Sequence, residues 1–278
     1  MITGIDHIVI LVADLDRAQA GYAAAGFTVV PGGEHAGGLT HNALVAFADG
    51  TYLELLSFRR PLADLAPGMP LPPGGLSRLT ERWIGRAVGG PGLLDFALLP
   101  DALAADLAAA RARGLALEGP RPGGRRRPDG REVAWELGIP EAPELPFLCA
   151  DVTPRELRVP TGPARDHANG ALGVAGITVA VEALAPAVAH YTALLDAAPT
   201  GDDAAAPGAA RATFLLGAAE ITLLAPDSPA DPLGAYLAAG GARPYTLQLR
   251  ARPGAPALDA ARLGGARISF LGAEASAA

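Results

Sequence analysis

Glu54 lies in the run YLELL, where a carboxylate flanked by leucines needs a cation or a hydrogen-bond donor beside it. His7 stands in a similarly apolar run, GIDHIVILV. His41 and Asn42 open the neighbouring segment HNALVAF, where His41 either contacts a ligand or makes a hydrogen bond at a rim. Arg125, Arg127 and Asp129 belong to GRRRPDG, a Pro-Asp-Gly turn. Two readings of it stand: a hairpin whose charges face water, or a guanidinium fork from Arg125 or Arg127 clamping an anionic ligand. His35, in the glycine-rich PGGEHAGG, reads as a solvated loop residue, His167 as part of a turn, and His190 as structural. No glycine-rich phosphate loop, Ser-His-Asp set or paired-cysteine motif accompanies them.

The elements that must hold these groups follow from periodicity. Ile8, Ile10 and Val12 alternate with His7, Val9 and Leu11, the period of a strand. Asp14 then caps a helix that runs through Ala18 and Tyr22 and stops at Gly26. HNALVAF and YLELLSF read as strands joined by Ala48-Asp49-Gly50-Thr51, with Asp-Gly as the hairpin signal. Counting back across that link sets Phe47 opposite Tyr52 and Val45 opposite Glu54. This count places Glu54 on one sheet face with Val45, Ala43 and His41.

The same strand–helix–strand–strand pattern recurs. Gly92 aligns with Gly4, and Asp101 takes the capping place of Asp14. A third copy begins at Gly173, and a shortened fourth near Tyr245. Self-similarity at roughly 75 to 90 residues marks a repeated module that cannot bury its sheet face alone. The expected fold is α+β: four βαβββ-type modules forming two cupped mixed sheets with helices outside. Residues 1–160 make an N-terminal half from modules one and two. They are joined by a linker at about 61–91 that carries PGMPLPPGG and one amphipathic turn from Leu79 to Val88. Residues 161–278 make a C-terminal half from modules three and four.

The strings GIDHIVILVADL, THNALVAFADGTYLELL, RRPDGREVAWEL, DVTPRELRVP and HANGALGVAGITVAV together resemble the glyoxalase-like branch of the vicinal oxygen chelate superfamily. The resemblance runs from about Ile5 to Val181 and more faintly to Phe270. It implies paired modules whose concave face holds a metal and an oxygen-rich ligand. It also implies that a His on a module's first strand and a Glu on its last are metal ligands, the positions of His7 and Glu54. An imidazole and a carboxylate suit one divalent Zn, Fe, Mn or Ni ion. In the repeat alignment His7 matches Asp95, giving a one-His, two-carboxylate set of His7, Glu54 and Asp95. Glu54 matches Leu148 or Cys149, and a Cys149 thiolate joins the set if the register shifts by one. In the third module the same positions are Gly176 and Thr222, so the second cup lacks both ligands.

Composition bounds the function. Of 278 residues 50% are hydrophobic and 18% charged, a globular balance. Lysine is absent, all 22 basic residues are Arg, and the net charge is -7, which argues against a nucleic-acid partner. One cysteine fits a reducing compartment. No signal-like start and no spanning apolar run point to a cytoplasmic protein without a membrane partner. The expected partners are a small-molecule ligand and, as a homodimer, a second copy of the chain. Two functions fit. One is an enzyme on a small oxygenated metabolite in the N-terminal cup, by metal-dependent lyase or isomerase chemistry with Glu54 as ligand and base. The substrate would be contacted by His41, Asn42, Arg125 and Arg127. The other is a metal-free binding protein of the drug-sequestering kind, using the same cup as a pocket.

Overall fold

A computed structural model describes residues 1–65, 77–200 and 209–271. β1 (Ile2–Leu11) feeds α1 (Leu15–Ala24), and β2 (Val30–His35), β3 (Thr40–Ala46) and β4 (Tyr52–Phe58) complete the first unit. α2 (Arg78–Ala87) precedes β5 (Gly92–Pro100), α3 (Leu103–Ala112), β6 (Leu117–Arg126), β7 (Glu132–Pro140) and β8 (Phe147–Asp151). α4 (Arg155–Arg158) leads to β9 (Ala171–Ala180), α5 (Leu184–Leu195), β10 (Ala209–Leu216) and β11 (Ala219–Pro226). α6 (Pro232–Gly240), β12 (Arg243–Ala251) and β13 (Ile268–Phe270) end the order. The fold is α+β with two mixed sheets, as the repeats imply. The first sheet goes beyond a cup: eight strands close into a barrel in the order β1-β4-β3-β2-β6-β7-β8-β5. The second stays open, β10-β11-β9-β12-β13.

β1 reads as an unbroken apolar run because both of its faces are buried. Ile8 and Ile10 turn outward onto Leu15 and Tyr22 of α1, in a core shared with Val174, Ile177 and Ile221 of the second sheet. Val9 and Leu11 turn inward, among Leu56, Ala97, Ile139 and Phe147. α1 begins as expected, with the Arg17 backbone N–H donating to the Asp14 carboxylate at 2.8 Å. Asp101 does not repeat that role. Ala102 holds the N-cap of α3 without a side-chain bond, and its N–H donates to Asp106 at 3.2 Å.

The linker does more than connect. PGMPLPPGG lies outside the described residues, but its amphipathic turn is α2, started by Ser77 accepting from the Thr80 N–H at 3.1 Å. Leu79, Trp83 and Ala87, spaced by four, fall on one helical face and join the barrel's inner cluster. No described helix is long and apolar enough to cross a membrane.

Two register details correct the sequence count. The β3–β4 hairpin turns on three residues, Ala48, Asp49 and Gly50, closed by Phe47 N–H to Thr51 O at 2.9 Å. Gly50 has φ 86°, the left-handed conformation that three-residue hairpin loops place there. Ala46 therefore faces Tyr52, and Leu44 faces Glu54. One residue of slip exchanges the faces, so Glu54 sits with Asn42 and Leu44, while His41, Ala43 and Val45 point the other way. The second detail concerns the repeat. His7 pairs with Tyr52 across β1–β4, and Ala97 pairs with Phe147 across β5–β8. Counted from these pairs, module two has Ala97 in the place of His7 and Cys149 in the place of Glu54. Asp95 lies two residues off, because His7 precedes its helix cap, Asp14, by seven residues whereas Ala97 precedes Ala102 by five, a difference that a gapless alignment passes over. In module three the alignment holds: Gly176 pairs with Glu220 and Thr178 with Thr222, matching His7 with Tyr52 and Val9 with Glu54.

Candidate functional site

The barrel encloses a cavity of about 760 Å³ whose wall includes His7, His35, Tyr52, Glu54, Arg125 and Arg158. Its apolar part is contributed by Leu79, Trp83, Trp135, Ile139 and Phe147. His7 enters because the inward parity of β1 continues from Val9. The Tyr52 ring stacks on its imidazole at 4.7 Å between centroids, and Phe147 meets it edge-on at 5.4 Å.

Asp6 is the extra residue of a bulge between the pairs Ile5–Leu98 and His7–Ala97, and the bulge lets two consecutive side chains meet. Its carboxylate lies 2.6 Å from His7 Nδ1. Arg158 donates to both Asp6 oxygens, at 2.7 and 3.1 Å, and Arg155 stands 2.7 Å from one of them. Burial pushes the Asp6 carboxyl up, but the Arg158 charge and the His7 hydrogen bond outweigh it and hold Asp6 well below the usual carboxylate range. An ionised Asp6 can only accept, so His7 Nδ1 carries the hydrogen and Nε2 is left for the cavity.

Nε2 of His7 lies 3.5 Å from Glu54 Oε2. On the other oxygen, Asn42 Nδ2 donates at 2.6 Å and His35 Nε2 stands at 3.3 Å. His35 is oriented by Thr40, whose hydroxyl lies 2.9 Å from its Nδ1. Burial pushes the Glu54 carboxyl up, yet the hydrogen bond and charge of His35, then His7 and Asn42, bring it down to about 2. Glu54 is thus an anion throughout the neutral range.

This has a measurable consequence for stability. The folded Glu54 carboxyl lies below its ordinary 4.5, so its contribution is complete above that value and is lost as pH falls through about 2. For this buried group the full contribution is on the order of 3 kcal/mol. The urea midpoint is expected to fall between pH 5 and pH 3, and Glu54→Gln to flatten that fall. An equal pH dependence in wild type and variant would contradict the assignment.

The structure brings His7, Glu54, Asn42 and Arg125 together and sets the other anticipated residues apart. His41 and Arg127 line a separate surface depression with Asp16, Gln19 and Arg59. Arg127 instead donates to Leu157 O at 2.7 Å and pairs with Asp129. Asp95, opposite Val9, is committed to α2: Arg82 lies at 2.6 Å, Arg86 at 2.9 Å, and Trp83 Nε1 donates at 2.9 Å. Cys149 lines the cavity, but burial pushes its thiol up to about 12, so it offers no thiolate at neutral pH. Among the described residues no three His, Cys, Asp or Glu side chains are placed to hold a metal ion. The ligand set His7, Glu54 and Asp95 does not fit. In the second sheet Gly176 brings no side chain, and the Thr222 hydroxyl is 3.2 Å from that of Thr213.

Asp6, His35, Arg158 and Tyr52 escaped the sequence reading. Asp6 adjoins His7, but strand parity sends neighbours to opposite faces unless a bulge intervenes. His35 sits among glycines that hide a strand, where it pairs with Arg125 of β6 at the seam that closes the barrel.

A family model described as a glyoxalase-like domain matches residues 5–195. No curated protein matches the chain with significance. Among solved structures, a hypothetical protein from Staphylococcus aureus superposes with a TM-score of 0.71 at 13% identity, over 96% of this chain and 99% of that one. A triple mutant of 4-hydroxymandelate synthase from Streptomyces coelicolor superposes at 0.57 and 16% identity, over 90% and 72% of the two chains. At these identities the likeness is one of fold. The family match spans well over half of the sequence and both modules that build the barrel, and the chain therefore belongs to the glyoxalase-like domain family, with the fold of the vicinal oxygen chelate superfamily.

Proposed function

We propose that the protein is an enzyme of the lyase or isomerase type that moves a proton on a small oxygenated metabolite bound inside the barrel. The observation that carries this reading is the convergence of His7 Nε2 and the ionised Glu54 carboxylate, 3.5 Å apart, on one point of the cavity. A ring nitrogen and a carboxylate facing each other at that distance call for a proton between them, which the pair can take from a bound substrate. His7 is the base in this reading. Asp6 fixes its ring, and Glu54 stabilises the imidazolium formed when Nε2 takes a proton. Glu54, ionised down to about pH 2, supplies charge and is too weak a base to take the proton itself. Because the anticipated three-ligand metal set does not assemble, no step is assigned to a metal.

The experiment is proton exchange in D2O. A panel of small hydroxy- and oxo-carbonyl compounds is incubated with the protein, and loss of the α-carbon proton signal is followed by NMR. Exchange on at least one compound, at a rate proportional to protein, is expected. Binding of panel members without exchange would favour the sequestering reading, which the apolar side of the cavity also accommodates.

A further inference from the structure

Arg125 is the cation of the cavity wall that makes no ion pair among the described residues, the nearby Glu54 charge offsetting only part of its burial. Arg158 has Asp6 and Asp151, Arg78 has Glu118 and Glu141, and Arg121 has Glu118. Arg125 is 3% exposed, and its two hydrogen bonds among the described residues go to backbone carbonyls. Nε donates to Gly32 O at 3.1 Å and Nη2 to Arg158 O at 2.8 Å. Those bonds fix the plane of the guanidinium and leave Nη1 without a protein acceptor. A buried charge without an ion-pair partner is costly, and burial lowers the Arg125 pKa although the Glu54 charge opposes it. Arg125 also pairs across β2–β6 with His35, whose ring reaches Glu54. The orphan cation therefore sits beside the groups assigned to proton transfer.

We infer that Arg125 is a specificity residue that receives a carboxylate, so that the substrates of this cavity are small carboxylic acids bound as monoanions. The inference rests on the barrel cavity being the site and names the class of compound it takes. With Nε and one Nη2 N–H committed to carbonyls, the remaining parallel N–H groups of Nη1 and Nη2 match one carboxylate. A phosphate dianion beside the Glu54 charge would need more cation than the wall has free. The indole rings of Trp83 and Trp135 and the Phe147 ring suit an aromatic or aliphatic body on the same molecule.

The protein carries its own reporter, since both of its tryptophans line the cavity. Quenching of their fluorescence is titrated with phenylacetate, its neutral analogue phenylacetamide, and benzylphosphonate. Phenylacetate is expected to bind at least about ten-fold more tightly than phenylacetamide, the order of one charge-assisted fork. Arg125→Gln is expected to abolish that gap, weakening phenylacetate far more than phenylacetamide. Arg125→Lys, which keeps the charge if the glutamine variant does not fold, should weaken phenylacetate about ten-fold, and phenylacetamide less. Equal binding of the two in wild type overturns the inference, as does full preference surviving in either variant, or no quenching by any of them. Tighter binding of benzylphosphonate than of phenylacetate overturns the carboxylate assignment. Carboxylate preference without proton exchange on any panel compound would refute the proposed reaction alone, whereas exchange confined to neutral compounds would refute this inference alone.

Discussion

Arg158→Met is expected to cost the protein about 3–5 kcal/mol in urea unfolding at pH 7, the range for removing one partner of a buried ion pair. Arg158 is 1% exposed and Asp6 is completely buried. The guanidinium bonds both Asp6 oxygens, reaches Asp151 Oδ2 at 3.0 Å, and donates to the Tyr52 hydroxyl at 2.8 Å. Methionine has a similar length and no charge, so the variant leaves the Asp6 carboxylate inside the barrel with Arg155 as its remaining cation. Two consequences are separable. The stability loss reports the orphaned charge. A change in His7 function reports its orientation, since Tyr52 stacks on the ring and Asp6 bonds it. Arg158→Lys restores the charge without the fork and should recover part of the stability. A methionine variant within 1 kcal/mol of wild type, measured at equal m-values, would mean that Asp6 is not held ionised by Arg158.

The second large effect is on turnover. His7→Ala is expected to lower the proton-exchange rate by about 10²–10⁴-fold, the usual contribution of a positioned acid–base group. Glu54→Gln is expected to lower it as well, for a different reason. The glutamine keeps an oxygen for Asn42 but turns an amide N–H₂ towards His7 Nε2, satisfying the lone pair that should take the proton. Thermal midpoints of both variants are measured alongside. A His7→Ala protein that exchanges as fast as wild type would remove His7 from the reaction.

Much of this was legible in the sequence for a physical reason. Strand periodicity, the Asp14 cap and recurring apolar strings are local signals, and they give the modules, while the pairing of His7 with Glu54 came from the family resemblance. The alignment of Gly176 and Thr222 with those residues is matched by the strand pairing of the second sheet. What was illegible depended on single-residue insertions. A hairpin turning on Ala48, Asp49 and Gly50 exchanged His41 for Asn42 beside Glu54. A bulge at Asp6 made an acid-fixed imidazole out of two neighbours that alternation separates, and a strand-to-helix span two residues shorter in the second module moved Asp95 away from the place of His7. Long-range closure was equally hidden. Nothing local in PGGEHAGG or GRRRPDG says that His35 and Arg125 meet at the seam of a barrel.

In the proposed function, chemistry resides in the barrel between His7 and Glu54 and the second sheet is structural. Its most direct test is proton exchange in D2O measured in parallel for wild type, Glu54→Ala and Thr222→Ala, on the panel compound that exchanges fastest. Exchange lost in Glu54→Ala and kept at the wild-type rate in Thr222→Ala is the expected result. Exchange lost in Thr222→Ala and intact in Glu54→Ala would place the site in the other half of the molecule.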